Sequence, residues 1–158
     1  GIYNRRYFFE LAEKEVERAN RYKNPLSVVI FDVDNFKRMN DSFGHLIGDQ
    51  ILVNLAKLCL NNIRSMDIIA RYGGEEFVIL MPEATKEDAQ KIAERLRKIV
   101  AETSMVTGAL DVMMTISLGV ASWNCNQELD FDSLLARADQ ALYQSKESGR
   151  NRVSAWQE

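Results

Sequence analysis

The sequence predicts an α/β domain built on a mixed sheet. Three observations carry this reading. Apolar runs of strand length alternate with stretches of helical periodicity. The alternation breaks once, where two strands are joined directly by Gly73 and Gly74. No repeat, low-complexity tract or Pro/Gly-rich linker divides the 158 residues. A chain of that length with 46% apolar and 27% charged residues closes one continuous core, so residues 1–158 read as a single domain.

The first element is an amphipathic helix: Tyr7, Phe8, Leu11, Ala12 and Val16 recur at helical spacing among charges, and Asn24 with Pro25 ends it. Leu26 to Val33 is a valine-rich run expected to form a strand buried on both faces, finishing in acid at Asp32 and Asp34. A short helix is expected over Phe36 to Asn40, then a turn at Gly44 and a longer helix through Ile47, Ile51, Leu55, Leu58 and Ile63. Ile68 to Tyr72 and Phe77 to Met81 are the strands of the Gly73-Gly74 hairpin. Thr85 and Asp88 stand at capping-box spacing before the stripe Ala89, Ile92, Ala93, Leu96 and Val100, in a helix whose acids lead and bases trail. Val112 to Val120 reads as one further strand. Leu134, Leu135, Ala138, Ala141 and Leu142 mark a last helix stopped by Gly149, and Val153 closes the sheet.

Composition excludes several functions. A formal net charge of -3 gives no global basic field to gather a phosphate backbone, so no nucleic acid partner is expected. No apolar run approaches the roughly 18 residues of a membrane span, so no membrane contact is expected either. Cys59 and Cys125 lack CxxC spacing and His45 is the only histidine, which argues for a reducing compartment and against a zinc site. The start at Gly1, without a methionine, suggests a domain excised from a longer protein with an N-terminal regulatory region.

The chemistry lies in the acids. On a strand Asp32 and Asp34 share a face while Val33 turns away and leaves its carbonyl at the strand end. Neighbours in a hairpin strand face opposite sides, so only one of Glu75 and Glu76 is expected to join Asp32 at a shared ion; Gly73 and Gly74 permit positive φ and close approach of a ligand. Two carboxylates about 5 Å apart at an effective dielectric near 20 repel by roughly 3 kcal/mol, which calls for a cation or a proton. Oxygen ligands of this kind suit Mg2+ shared with substrate phosphates. Either acidic pair taken alone reads better as solvated charge at a strand end.

Taken together, the residues resemble the GGDEF family of diguanylate cyclases. The signature stands as Arg71-Tyr72-Gly73-Gly74-Glu75-Glu76-Phe77, preceded by Phe31-Asp32-Val33-Asp34-Asn35-Phe36-Lys37-Arg38-Met39-Asn40-Asp41, Phe43-Gly44-His45 and Gly48-Asp49. Ser117-Leu118-Gly119-Val120, Ala138-Asp139, Ala141-Leu142-Tyr143, Lys146 and Gly149-Arg150-Asn151 follow, and Gly1-Ile2-Tyr3-Asn4-Arg5-Arg6 is similar to the end of the family's opening motif. The resemblance implies a five-stranded, nucleotidyl-cyclase or palm-like fold. It also implies condensation of two GTP into cyclic dimeric GMP across a homodimer, in a bacterial cytoplasm, with the full-length protein free or membrane-tethered.

By the same resemblance, Asp32, the Val33 carbonyl and Glu75 hold two Mg2+ per GTP, with Mn2+ a substitute. Glu75 is a ligand first and a proton acceptor second. Backbone amides from Asn35 and Phe36 to Lys37 receive phosphate oxygens, and the Lys37 side chain neutralises developing charge. Lys146 and Arg150, expected four residues apart at the end of the last helix, form a phosphate-binding pair, and Gly73 and Gly74 border the substrate. Asn40 and Asp49 match the guanine-reading pair: an amide donates and accepts, and a carboxylate accepts from N1–H and the 2-amino group. His45 is placed near the substrate but reads better as a turn residue than as a base. Arg64 and Asp67 match the family's product-inhibition motif, with five residues between Asp67 and Gly73 and with Arg18 and Arg95 as further contacts to cyclic dimeric GMP. The rival readings are a silent GGDEF-like domain that binds GTP or cyclic dimeric GMP, another two-metal nucleotidyl enzyme, and a purely structural domain.

Overall fold

A computed structural model describes residues 2–108 and 110–157. Gly1, the first residue of the opening motif, lies outside the described residues.

The first helix, α1 (Arg5–Tyr22), starts where the Asn4 side chain accepts a hydrogen bond from the Tyr7 amide at 2.9 Å, and stops at Lys23 in the left-handed conformation. Strand β1 (Leu26–Val33) follows, buried at all eight positions as a central strand must be. Helix α2 (Phe36–Phe43) meets α3 (His45–Leu60) at Gly44, whose φ of 89° lets the chain turn sharply between them. Strands β2 (Ile68–Arg71) and β3 (Glu76–Pro82) flank the glycine pair, and the Thr85–Asp88 capping box opens α4 (Lys86–Glu102). Glu87 and Asp88 lead that helix, but its last turn carries no base, so only half of the expected charge polarity is present.

One expected strand is divided. Residues 112–120 do not run continuously: β4 (Met105–Thr107) and β5 (Leu110–Val112) form a separate two-stranded sheet, and β6 (Ile116–Trp123) begins only at Ile116. The cause is register. The β1–β6 ladder ends at Val33↔Ile116, so residues before Ile116 have no partner in the main sheet, and Val112 pairs back with Met105. The chain closes with α5 (Phe131–Glu147), capped by Asp130, and β7 (Val153–Ala155).

The main sheet has five strands in the order β2-β3-β1-β6-β7, antiparallel except for the β6–β7 pair. The expected mixed five-stranded sheet is therefore present. Side-chain alternation along β1 sorts the core into two layers. Val29, Phe31 and Val33 face α3 and α4, where Phe31 stacks on Phe77 with ring centroids 5.2 Å apart. Leu26, Val28 and Ile30 face α1 and α5. Helix α5 lies so close to β6 that a Cβ on Gly119 would stand 2.2 Å from the Ala138 carbonyl oxygen and 2.2 Å from the Leu142 nitrogen. Among the described residues no helix is long and apolar enough to cross a membrane.

Candidate active site

Everything of chemical interest in the central strand sits at its C-terminal end. Asp32 faces the α5 side, continuing the row of Leu26, Val28 and Ile30, and is 5% exposed. Helix α5 places Lys146 in its last turn, where the ammonium pairs with Asp32 Oδ2. Burial is the largest influence on Asp32 and raises its carboxyl above the usual range. The Lys146 bond pulls it down, while the charges of Glu75 and Asp34 push it up again. Burial works against the Lys146 ammonium too, but the bond and charge of Asp32 outweigh it, and the lysine rises above its ordinary value.

The charges of both glutamates reach this pair. Glu76 is the direct cross-strand partner of Asp32 and so shares its face. Glu75 lies in the bend before β3, where strand alternation does not apply, and its charge also bears on Asp32 and Lys146. Burial, then the charges of Asp139 and Asp32, raise the Glu76 carboxyl. Sequence reasoning did not assign a role to Glu76 or Asp139; the Ala138-Asp139 match was the available signal.

The glycine pair behaves differently from expectation. Neither Gly73 nor Gly74 adopts positive φ. A Cβ on Gly73 would meet nothing closer than 3.8 Å, and one on Gly74 would meet nothing within 4 Å. Neither backbone nor packing requires glycine here, so what the pair preserves is open space beside the acids. Arg71 braces the bend by donating from Nε to the Gly74 carbonyl at 2.9 Å.

Asp34 is structural. Its Oδ1 accepts from Ser117 Oγ at 2.6 Å, and its Oδ2 accepts from Thr115 Oγ1 at 2.7 Å and from the Asn151 amide at 3.0 Å. It thereby ties the end of β1 to β6 and to the loop that carries Arg150. Arg150 is exposed, in the left-handed region at φ 65°, beyond the end of α5. The expected helical pair is thus corrected: Lys146 is on the helix, Arg150 on the following turn, because Ser148 caps α5.

On the other side of β1, Asn35 adopts φ 57° and caps α2 without a side-chain bond, leaving the helix start to its backbone amides. Lys37, His45 and Asp49 are exposed, and Phe36 is buried. Asn40 Oδ1 is buried with no hydrogen-bond partner. It lies against Gly48, one residue before Asp49, so α2 and α3 bring the two expected base-reading residues to the same crossing.

The residues expected to bind the product are far away. Asp32 pairs with Glu76 at one end of the β1–β3 ladder and Leu26 with Pro82 at the other, about 20 Å apart at 3.3 Å per residue. At the far end Arg64 donates to Asp67 Oδ1 at 2.7 Å and to the Pro82 carbonyl at 2.9 Å. Arg95 donates to the Asn62 carbonyl nearby, and Arg18 pairs with Glu15 at 3.3 Å beside a small crevice that includes Pro82.

Among the described residues no three Asp, Glu, His or Cys side chains converge as a self-sufficient metal cluster. The donor set nevertheless fits a hard cation: Asp32 and Glu75 offer carboxylates, Val33 offers a carbonyl, and an ammonium already rests against Asp32. Substrate phosphates would have to complete the coordination.

Comparison with known proteins identifies the family. The family model described as "Diguanylate cyclase, GGDEF domain" matches residues 1–152. Diguanylate cyclase DosC of Escherichia coli is 40% identical over 156 residues, which are 98% of this chain and 34% of that protein. Response regulator PleD of Caulobacter vibrioides is 41% identical over 155 residues, 97% of this chain and 34% of that protein. The chain therefore spans about a third of the length of these relatives. Among solved structures, the active GGEEF domain of a diguanylate cyclase from Vibrio cholerae matches with a TM-score of 0.93 and 35% identity, covering 100% of this chain and 99% of that one. The GGDEF domain of DgcB from Caulobacter crescentus, in complex with c-di-GMP, matches with a TM-score of 0.91 and 30% identity over 99% of this chain and 90% of that one. With its family model matched over residues 1–152 and its signature loop set beside a buried carboxylate, the chain belongs to the GGDEF domain family.

Proposed function

We propose that this domain condenses two GTP into cyclic dimeric GMP and two pyrophosphates. The observation that carries the reading is the set of acids Asp32, Glu75 and Glu76 gathered with Lys146 at one sheet edge, beside a glycine bend with no structural need for glycine. Family membership supports it, and so do relatives that carry the name diguanylate cyclase.

In this reading each 3′-hydroxyl oxygen forms a bond to the α-phosphorus of the other GTP, the bond from that phosphorus to the bridging oxygen breaks, and pyrophosphate leaves. Two Mg2+ held by Asp32, Glu75 and the Val33 carbonyl, with Mn2+ as a substitute, would supply charge stabilisation for the attacking and departing oxygens. Lys146 exchanges its contact with Asp32 for one with the triphosphate, joined by Arg150 and Lys37. The amides at the start of α2 receive phosphate oxygens. Asn40 and Asp49 select guanine, since adenine presents no donors where a carboxylate can accept them. Glu75 takes the 3′-hydroxyl proton.

Because each domain holds one GTP, in-line attack by both hydroxyls requires two domains face to face, so the active species is a homodimer. Specific activity should fall steeply on dilution; activity independent of concentration contradicts the dimer. Arg64 and Asp67, with Arg18 and Arg95, bind the product away from the site and inhibit. If Arg64→Ala leaves the product's inhibition constant unchanged, that role is wrong.

Product analysis by mass spectrometry after incubation with GTP and Mg2+ tests the main reading. Cyclic dimeric GMP, lost on chelation and in Glu75→Gln, is the expected result. GTP binding without product would assign the domain to nucleotide binding instead.

A further inference from the structure

We propose that Gly48 is a positioning residue for purine recognition: by lacking a side chain it opens the slot in which the Asn40 amide lies, and so fixes how that amide is presented to a guanine base. This rests on the reading that Asn40 faces the purine.

The geometry is specific. A Cβ on Gly48 would stand 1.8 Å from Asn40 Oδ1, 3.0 Å from Asn40 Cγ and 3.3 Å from Phe36 Cζ. The amide of Asn40 thus occupies the volume that any other residue at position 48 would fill. Nothing in the backbone asks for glycine there, because Gly48 lies in the first turns of α3 without positive φ. Glycine weakens a helix relative to alanine, so its presence in α3 needs another cause, and room for the amide supplies one.

The two backbones cannot simply move apart, so it is the Asn40 amide that must give way. The Gly44 amide donates to the Asn40 carbonyl at 2.8 Å, and the Gly48 amide donates to the Gly44 carbonyl at 3.1 Å, which clamps the end of α2 to the start of α3. Phe36, one helical turn before Asn40 and 7% exposed, closes the other side. The Asn40 amide is therefore held by shape: its Oδ1 is buried and has no hydrogen-bond partner. To regain even 3.0 Å from a Cβ at position 48, Oδ1 would have to shift by about 1.2 Å. Displacements of that size at a recognition group are large, since roughly 1 Å of misplacement can cost about a hundredfold in rate. A polar group displaced from its partner also loses discrimination between bases.

The test compares Gly48→Ala, Asn40→Ala and the double variant, by calorimetric titration in Mg2+ with 3′-deoxy-GTP, which lacks the attacking hydroxyl, and with tripolyphosphate, which lacks the base. Gly48→Ala should weaken 3′-deoxy-GTP about tenfold or more and leave tripolyphosphate within about twofold. In the Asn40→Ala background the same change should add less than about twofold, because the amide it collides with is gone; this variant also relieves the clash if the single one folds poorly. The Asn40 side-chain amide resonances of the free protein should shift in Gly48→Ala. Unchanged 3′-deoxy-GTP affinity in Gly48→Ala, equal losses for both ligands, or equal losses in both backgrounds would each overturn the inference. If Asn40→Ala itself binds 3′-deoxy-GTP like the parent, the guanine-reading assignment fails and the role of Gly48 in recognition falls with it. A strong Asn40 effect without a Gly48 effect sinks the Gly48 inference alone.

Discussion

Removing the Asp34 carboxylate tests whether this residue organises the site, as distinct from binding a ligand. Asp34→Ala leaves three donors without an acceptor: Ser117 Oγ, Thr115 Oγ1 and the Asn151 amide. At about 1.5–3 kcal/mol for each hydrogen bond to a charged group, simple addition gives an upper bound near 9 kcal/mol. Thr115 is only half-buried and Asn151 is exposed, so water can replace the carboxylate at both; Ser117 is 0% exposed and stays unsatisfied. The expected loss is therefore about 4 kcal/mol, or roughly 8–16 °C in Tm for a chain of this size. Asp34→Asn should cost far less, about 1–2 kcal/mol. Its remaining oxygen can keep Thr115 and Asn151, while the Ser117 hydroxyl reverses to accept from the new amide. Urea unfolding of both variants, with unchanged slope, measures the difference. A loss below about 1 kcal/mol for alanine, or equal losses for alanine and asparagine, would refute the reasoning.

Three further outcomes follow from the geometry. Glu76 has a carboxyl raised above its ordinary value of 4.5, first by burial and then by Asp139 and Asp32. Between 4.5 and its folded value the native state binds more protons than the unfolded chain, so stability falls as pH rises through that window. In chelator, Glu76→Gln should raise Tm at pH 7, with the gain vanishing below the unfolded value; a loss at pH 7 would contradict this. Burial pushes the Cys59 thiol up to about 12, whereas Cys125 is only half-buried. A chromogenic disulfide reagent at pH 8 should titrate one thiol in the native protein and two in urea. Gly119→Ala drives a methyl against the α5 backbone on two sides, and should cost about 3 kcal/mol or more by thermal unfolding.

Local signals made most of the fold legible. The Thr85–Asp88 box and the stripe from Ala89 to Val100 both belong to one helix, so their spacing alone suffices. The eight buried positions of β1 read directly as an apolar run. What failed depended on partners. Strands β4 and β5 have three residues each, too few for alternation to show, and the break before Ile116 exists only because Val33 ends the ladder across from it. Helix α3 stops at Leu60 although Ile63 keeps the helical spacing, because Ile63 packs on the core from the turn after Asn61.

The site shows the same division between local and long-range causes. Asp32 and Glu75 stood out through their neighbours in sequence, but the organising bonds of Asp34 reach partners 81, 83 and 117 residues away, beyond any spacing rule. Glu75 precedes β3, so strand alternation does not govern it. The charge balance at Asp32 is more remote still. Lys146 reaches it only because α5 is seated directly on β6, which requires the bare Cα of Gly119, and because Ser145 Oγ, beside Lys146 in the chain, lies 2.7 Å from the Leu118 carbonyl. A glycine and a serine with no bond to an acid thus seat the helix that carries the ammonium. The Ser117-Leu118-Gly119-Val120 stretch is therefore part of the site's construction, although none of its side chains faces a ligand in the proposed reaction.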